Sequence, residues 1–152
     1  MSASQQEKEV TDSVSQWVTF RLGEEKYGID VLQVQEVLRV TEISPVPGAP
    51  DYVLGIINLR GNVVTVVDAR SRFGLPPQDA DDASRIIVVD AFEKVVGLLV
   101  DNVSEVVYVP NSQIEMAPNV GTDESRKFVS GVFNRDSELL IMLDLAKLIN
   151  YE

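Results

Sequence analysis

Short apolar stretches separated by turn residues follow each other roughly every ten residues along this chain, as in a small β-barrel. Residues 17–22 alternate, with Val18, Phe20 and Leu22 on one side, which is typical of a half-buried strand. Residues 85–91 are apolar nearly throughout, which predicts a strand covered on both faces. No helical segment is long enough for the crossover of a parallel α/β sheet, so we expect a mainly β fold.

The stretch 55–68 predicts a hairpin of two β-branched strands around a tight turn at Arg60 and Gly61. A weaker copy occupies 131–144, with the same spacing from its first glycine to its last aspartate. An asparagine stands three residues after the glycine in both copies. This repetition indicates an internal duplication, and chance similarity among valine-rich strands is the alternative.

A second internal match aligns the stretch from Gly28 with the stretch from Gly97, so that Val34 corresponds to Val103 and Glu36 to Glu105. Each unit is too short to bury its own sheet faces, but two units can share an apolar seam. We therefore predict two barrel lobes on one core. The motif halves are about 15–74 and 85–150, and exchange of strands between the lobes is left open.

The connecting segments carry recognisable signals. Asp30 can cap one helical turn over residues 31–34, and the proline-rich stretch 44–50 is a connector. Asp68 and Asp144 each precede a short helix that they can cap. Residues 1–14 are expected to be a disordered tail, residues 75–84 a mobile acidic loop, and residues after Pro110 a loop that runs to about Ser125.

Composition narrows the function. The chain has no cysteine and no histidine, which removes thiolate chemistry and the commonest general base and zinc ligand. Its net charge of −11 makes nucleic acid an unfavourable partner and suits solubility or steering towards a basic partner. No apolar run could cross a bilayer and the polar N-terminus does not resemble a secretory signal, so we expect a cytoplasmic protein without direct membrane insertion.

Motifs for nucleotide binding, serine hydrolysis and two-histidine metal sites are absent from the sequence. A hydrolase that uses two carboxylates remains open by residue type, although capping explains Asp68 and Asp144. The aspartates at 79, 81 and 82 alternate like calcium ligands but lack the glycine and distal glutamate of a calcium loop. A nucleic-acid-binding barrel would need a basic groove with exposed aromatic side chains.

Two sets of residues are candidates for contact with another protein. Arg60 lies at the hairpin turn, where its permanent charge serves either solvation or a specific contact. Val34 and Glu36 are two apart in extended chain, so they are expected to point the same way and to offer an apolar contact beside a charge. The alternative is a barrel-face valine and a solvated glutamate.

Several stretches resemble CheW-type chemotaxis coupling proteins over about residues 15–150. They are the opening from Trp17 to Gly28, the Val34-Gln-Glu36 triplet, the proline-rich connector, the Asn-Leu-Arg-Gly block that ends at Gly61, Val66-Val-Asp68 and residues 96–101. One departure is Arg85, where that family usually has a small or apolar residue.

The resemblance implies two SH3-like five-stranded barrels with a few short helices, no bound cofactor and no enzymatic activity. Such proteins join transmembrane chemoreceptors to the histidine kinase CheA in membrane-associated arrays. One lobe would bind the kinase's regulatory domain, and the groove between the lobes would take the receptor's cytoplasmic hairpin tip. The output could be flagellar or, alternatively, a pilus or other chemosensory pathway.

The resemblance also implies site residues. Motif matching assigns contacts with the receptor or the array to Val34, Glu36, Gly55 and Arg60. It assigns coupling through the second lobe to Val103, Val106 and Gly131.

Overall fold

The computed structural model describes residues 13–91, 93–116 and 124–149. Within them lie ten strands: β1 (Val14–Leu22), β2 (Glu25–Asp30), β3 (Val34–Arg39), β4 (Val53–Leu59), β5 (Asn62–Asp68), β6 (Arg85–Ala91), β7 (Lys94–Val100), β8 (Asn102–Pro110), β9 (Val129–Arg135) and β10 (Glu138–Leu143). The helices are short: α1 (Ala69–Arg72), α2 (Leu145–Ile149) and the 3₁₀ turns η1 (Val31–Gln33), η2 (Asn111–Gln113) and η3 (Ser125–Phe128).

The strands form two five-stranded sheets, which confirms the mainly β, two-barrel prediction. One sheet has the order β3-β6-β7-β5-β4 and is called lobe 1, and the other has the order β8-β1-β2-β10-β9 and is called lobe 2. The first two strands of the chain therefore pair within lobe 2, next to the last three. Sheet membership does not follow the two sequence halves, because each half gives strands to both lobes.

The two sheets have the same strand order when β1–β5 are matched with β6–β10. Gly55 pairs with Val66 in one hairpin, and Gly131 pairs with Met142 in the other. The parallel pairings agree as well, since Gly97 lies beside Val66 and Gly28 beside Met142. Equal registers at matched positions support the predicted pseudo-repeat.

Among the residues that the structure describes, three apolar clusters make up the core. One fills the lobe 2 barrel around Trp17 and Phe133, and one fills the lobe 1 barrel around Ile57 and Ile86. The third and largest draws on both sheets and includes a row of aromatic rings, formed by Phe20, Tyr27, Phe73 and Phe128. The predicted shared core is confirmed by this third cluster.

The burial of the strands follows from these clusters. The four apolar residues that follow Arg85 in β6 are completely buried, as predicted for a strand covered on both faces. The prediction for β1 is wrong: Trp17, Val18, Thr19 and Phe20 are all buried, so the strand is not half-buried. One face of β1 packs into the lobe 2 barrel and the other into the shared core, which local alternation cannot reveal.

The predicted caps are present. Asp30 accepts a hydrogen bond from the Leu32 amide at 3.0 Å, and Asp68 accepts one from the Arg70 amide at 3.1 Å. Asp144 accepts one from the Lys147 amide at 3.4 Å. Of the predicted tail, residues 1–12 lie outside the described residues and Val14 already belongs to β1. The predicted loop after Pro110 begins with η2, and its part at 117–123 also lies outside them.

Candidate functional site

The end of the lobe 1 barrel carries an ion pair between Arg60 and Glu36. Arg60 occupies the tip of the β4–β5 hairpin with a φ of 52°, and both ends of its guanidinium contact the Glu36 carboxylate, with Nη1 to Oε1 at 3.3 Å. Hydrogen bonding to Glu36 raises the pKa of Arg60. The Arg60 side chain is 69% exposed, so the charge at this tip is fixed in position but accessible.

Val34 and Glu36 face different sides of β3, contrary to the prediction that they point the same way. A β-bulge separates them, because Val34 lies opposite Val89 whereas Glu36 lies opposite Val88. Val89 belongs to the shared core and Val88 to the lobe 1 barrel. Val34 consequently packs against the core between the lobes, and Glu36 is left at the barrel end beside Arg60.

Gly55 and Gly131 are buried at matched positions in the two barrels. The segment at Ser44 crosses Gly55 so closely that a Cβ there would lie 2.1 Å from the Ser44 carbonyl oxygen. At Gly131 the nearest atom would be Ile114 Cγ2 at 2.7 Å. Each glycine therefore admits a crossing segment of its own chain, and any effect on a partner would pass through the shape of the barrel.

Lobe 2 presents a different chemistry at its matching barrel end. The position equivalent to Arg60 is Asp136, and the glutamate equivalent to Glu36 is Glu105. Glu105 pairs with Lys26, whose side chain is only 9% exposed and also lies 3.4 Å from Glu138. These groups line a cavity of about 140 Å³ over the apolar interior of the barrel.

Two glutamates of this end, Glu105 and Glu138, are held in the charged form. The hydrogen bond from Lys26 keeps the pKa of Glu105 below its ordinary value. Arg21 has the same effect on the pKa of Glu138 and adds a second ion pair within lobe 2. The end of lobe 2 thus carries several linked charges, including the half-exposed Arg135 beside Asp136, whereas the end of lobe 1 carries the single exposed pair of Arg60 and Glu36.

The two remaining predicted positions lie on β8. Val103 is half-buried against the shared core, in the position matched by Val34. Val106 is 42% exposed, as is its counterpart Val37 at 41%. The structure thus joins Glu36 to Arg60 and places Val34 and Val103 along one core, while Val106 lies on an outer surface.

Local sequence patterns did not reveal two features of the site. Lys26 lies near the start of β2, and its burial follows from the nonlocal neighbours Glu105 and Glu138. Arg70 and Asp101 form a largely buried ion pair between distant segments. No local signal marks Lys26, because it follows Glu24 and Glu25 near the start of β2 and resembles a turn residue there.

Within the described ranges, none of the helices has the length and apolar character that a bilayer crossing needs.

Comparison with known proteins gives a consistent result. The family model described as the CheW-like domain matches residues 16–152. A chemotaxis protein CheW of Rhizobium meliloti is 34% identical over 91% of this chain and 89% of its own length. The corresponding protein of Treponema pallidum is 32% identical over 93% of this chain and 85% of its own length.

Among solved structures, the crystal structure of a scaffolding protein, the CheW of Thermoanaerobacter tengcongensis, superposes with a TM-score of 0.83 at 36% identity. The match covers 91% of this chain and 94% of that one. Sequence and fold agree over nearly the whole length, including both barrels. The chain belongs to the CheW-like domain family.

Proposed function

We propose that this chemotaxis adaptor couples transmembrane chemoreceptors to a CheA-type histidine kinase without catalysing a reaction itself. One lobe docks on the regulatory domain of the kinase, and the groove between the lobes takes the helical hairpin tip of the receptor. The chain is thereby recruited from the cytoplasm to receptor arrays at the membrane. Val34, Glu36, Gly55 and Arg60 serve the receptor and array contacts, and residues of β8 and β9 serve coupling through lobe 2.

The accessible Arg60 guanidinium is the observation that carries this proposal. A guanidinium has five N–H donors, and a side chain that is 69% exposed can give the donors not used by Glu36 to a partner's carboxylate. Glu36 holds the group at the barrel end before a partner arrives, which lowers the entropy cost of docking. An acidic side chain on a receptor helix is a suitable partner for this group.

The prediction for Arg60→Glu is loss of coupling with retention of fold. Reversing the charge at a pre-positioned contact should reduce kinase activation in reconstituted receptor–kinase assemblies by roughly tenfold or more. Circular dichroism should match that of the parent, because the side chain is mostly exposed. Lys147→Glu makes the same charge change on α2 and is the matched control, with activation close to that of the parent.

A charge exchange separates the two roles of Arg60. If the pair served only to close the barrel, the double variant Glu36→Arg with Arg60→Glu would rebuild it and restore activation. The proposal predicts that the double variant stays defective, since the partner still meets a glutamate at the tip. Parent-like activation by the single Arg60→Glu variant would remove Arg60 from the contact.

A further inference from the structure

Within the described residues, the chain passes from one sheet to the other at two places. The first crossover is η1, between β2 and β3, and the second is Asp101, between β7 and β8. The two places correspond in the pseudo-repeat, where Asp101 is matched by Leu32. Residue Leu32 is 90% exposed, whereas the side chain of Asp101 is only 17% exposed. The tip of the first crossover therefore projects into solvent, whereas the matched residue of the second is held by the protein.

Three segments meet at the second crossover, and we call them the crossover clamp: Arg70, Asp101 and Gly23. Arg70 of α1 donates from Nε to Asp101 Oδ1 at 2.8 Å and from Nη2 to Oδ2 at 2.6 Å. The Gly23 amide, in the β1–β2 turn of lobe 2, donates to the same Oδ2 at 2.8 Å. Arg70 also donates to the Pro76 carbonyl at 3.0 Å, so the clamp ties both lobes and the following loop together.

The clamp has the properties of a strong contact. The Arg70 side chain is only 12% exposed, and the two parallel hydrogen bonds fix its direction as well as its distance. Burial tends to raise the pKa of Asp101, but the bonds from Arg70 and Gly23 outweigh burial and hold that pKa below its ordinary value. The carboxylate is therefore charged at neutral pH and attracts Arg70 with little screening.

The other arginine of α1 reaches lobe 2 at a second point. The Arg72 guanidinium lies 4.3 Å from the centre of the Tyr52 ring and 4.7 Å from that of Phe128. Its Nε also donates to the Leu148 carbonyl at 3.3 Å. A helix of one turn, which follows the last strand of lobe 1, thus contacts lobe 2 near its start and near its end.

We infer that the crossover clamp is a positioning device that fixes the angle between the lobes and so holds the two docking surfaces in one geometry. Arg70 and Asp101 act without touching a partner. The inference rests on the proposed function, because a fixed angle matters for coupling only if partners dock on both lobes. Burial of apolar surface has no preferred direction, whereas a paired guanidinium and carboxylate fix both distance and direction. The pair therefore defines the angle between the lobes more sharply than the shared core does.

The angle can be measured without any partner. The chain has no cysteine, so Asn62→Cys in lobe 1 and Asn134→Cys in lobe 2, both exposed, give a unique pair of spin-label sites. Pulsed electron paramagnetic resonance should give one narrow distribution of distances between the two spin labels in this labelled parent. Adding Asp101→Asn or Arg70→Gln should broaden or shift this distance distribution. Arg70→Lys should have a smaller effect, because lysine keeps the positive charge but cannot form the two parallel hydrogen bonds of a guanidinium.

Lys127→Gln is the matched control, because it breaks an exposed local ion pair with Glu124 that does not contact the clamp and should leave the distribution unchanged. Circular dichroism identifies any variant that has simply failed to fold, and the milder Arg70→Lys then serves in its place. If the clamp variants gave a distance distribution with the same width and the same mean as the parent, the inference would be overturned.

A second readout separates positioning from a general loss of structure. The clamp variants should bind the kinase regulatory domain and the receptor fragment singly with parent-like affinity, yet activate the kinase roughly fivefold less or worse. Equal losses in single binding and in activation would overturn the positioning role. A parent protein that binds neither partner would contradict the proposed function, while the distance measurement would still test the clamp.

Discussion

At the scale of single residues, the fold depends on places where two backbone segments nearly touch. Ser44 and Ile56 exchange two backbone hydrogen bonds of 2.9 and 2.8 Å across Gly55, and Glu115 and Val132 exchange two of 2.9 and 2.7 Å beside Gly131. These bridges join the segment that follows β3 or β8 to the hairpin of the same barrel. A glycine is required there because a side chain would take the place of the crossing backbone.

Gly55→Ala should therefore destabilise the protein by about 3 kcal/mol or more, through strain at a φ of 151° and overlap with the Ser44 carbonyl. Gly48→Ala is the control: its φ is also positive, at 81°, but nothing lies within 4 Å of the new Cβ. Its cost should be about 1 kcal/mol. Urea unfolding curves measure both values, and equal losses would contradict the close-approach explanation.

Tyr27 is a titratable group within the shared core. Burial raises its pKa from the ordinary 10.0 to about 12, with a further contribution from the Glu25 carboxylate. The folded state keeps the phenol proton that the unfolded chain loses first. The contribution to stability is complete below pH 10 and is lost as the pH rises towards 12.

Tyr27→Phe should accordingly flatten the fall in unfolding free energy across this alkaline window, by about 2 kcal/mol in total. Tyr108→Phe removes a phenol that is 64% exposed and is the matched control, with the slope of the parent. Unfolding curves recorded at several pH values provide the test. An unchanged slope in Tyr27→Phe would show that the phenol ionises equally easily in both states.

At the scale of elements, the two hairpins that make the repeat visible differ in their turns. Both central residues of each turn have positive φ, at 52° and 86° for Arg60 and Gly61 and at 50° and 66° for Asp136 and Ser137. This conformation favours glycine at the second position. The lobe 1 hairpin meets that preference with Gly61, whereas Ser137 in the lobe 2 hairpin is strained. The turn motif is therefore harder to recognise in the sequence of the lobe 2 hairpin.

Ser137→Gly should consequently stabilise the protein by about 0.5 to 1 kcal/mol, since glycine adopts this φ without strain. The reverse change, Gly61→Ser, should destabilise it by a similar amount of about 1 kcal/mol. The two variants are measured by chemical denaturation under the same conditions. A destabilised Ser137→Gly would mean that the serine side chain contributes more than its backbone strain costs.

Elements with a local signal could be predicted from the sequence. The Arg60 turn, the Asp30 and Asp68 caps and the buried strand β6 all depend on neighbours within a few residues. The burial of β1 and of Lys26 could not be predicted, because both depend on strands about a hundred residues away. The β-bulge after Val34 was also hidden, since it depends on pairing with β6.

At the scale of the whole molecule, two barrels built from exchanged strands share one core and cannot separate without unfolding. β1 and β2 belong to lobe 2, although the three strands that follow them belong to lobe 1. The unit that results presents one exposed arginine–glutamate pair at one barrel end and a larger network of charges around Lys26 at the other. Such an asymmetric pair of surfaces on one shared core suits an adaptor that joins two different partners.

As an adaptor, one copy of this chain is expected to hold a kinase and a receptor at the same time. The most direct test is sedimentation of a labelled CheA regulatory domain with a receptor hairpin fragment, with and without the chain. The kinase domain should sediment with the receptor only when the chain is present, and less so with Arg60→Glu. Competition between the two partners for the chain, or no dependence on it, would contradict the account.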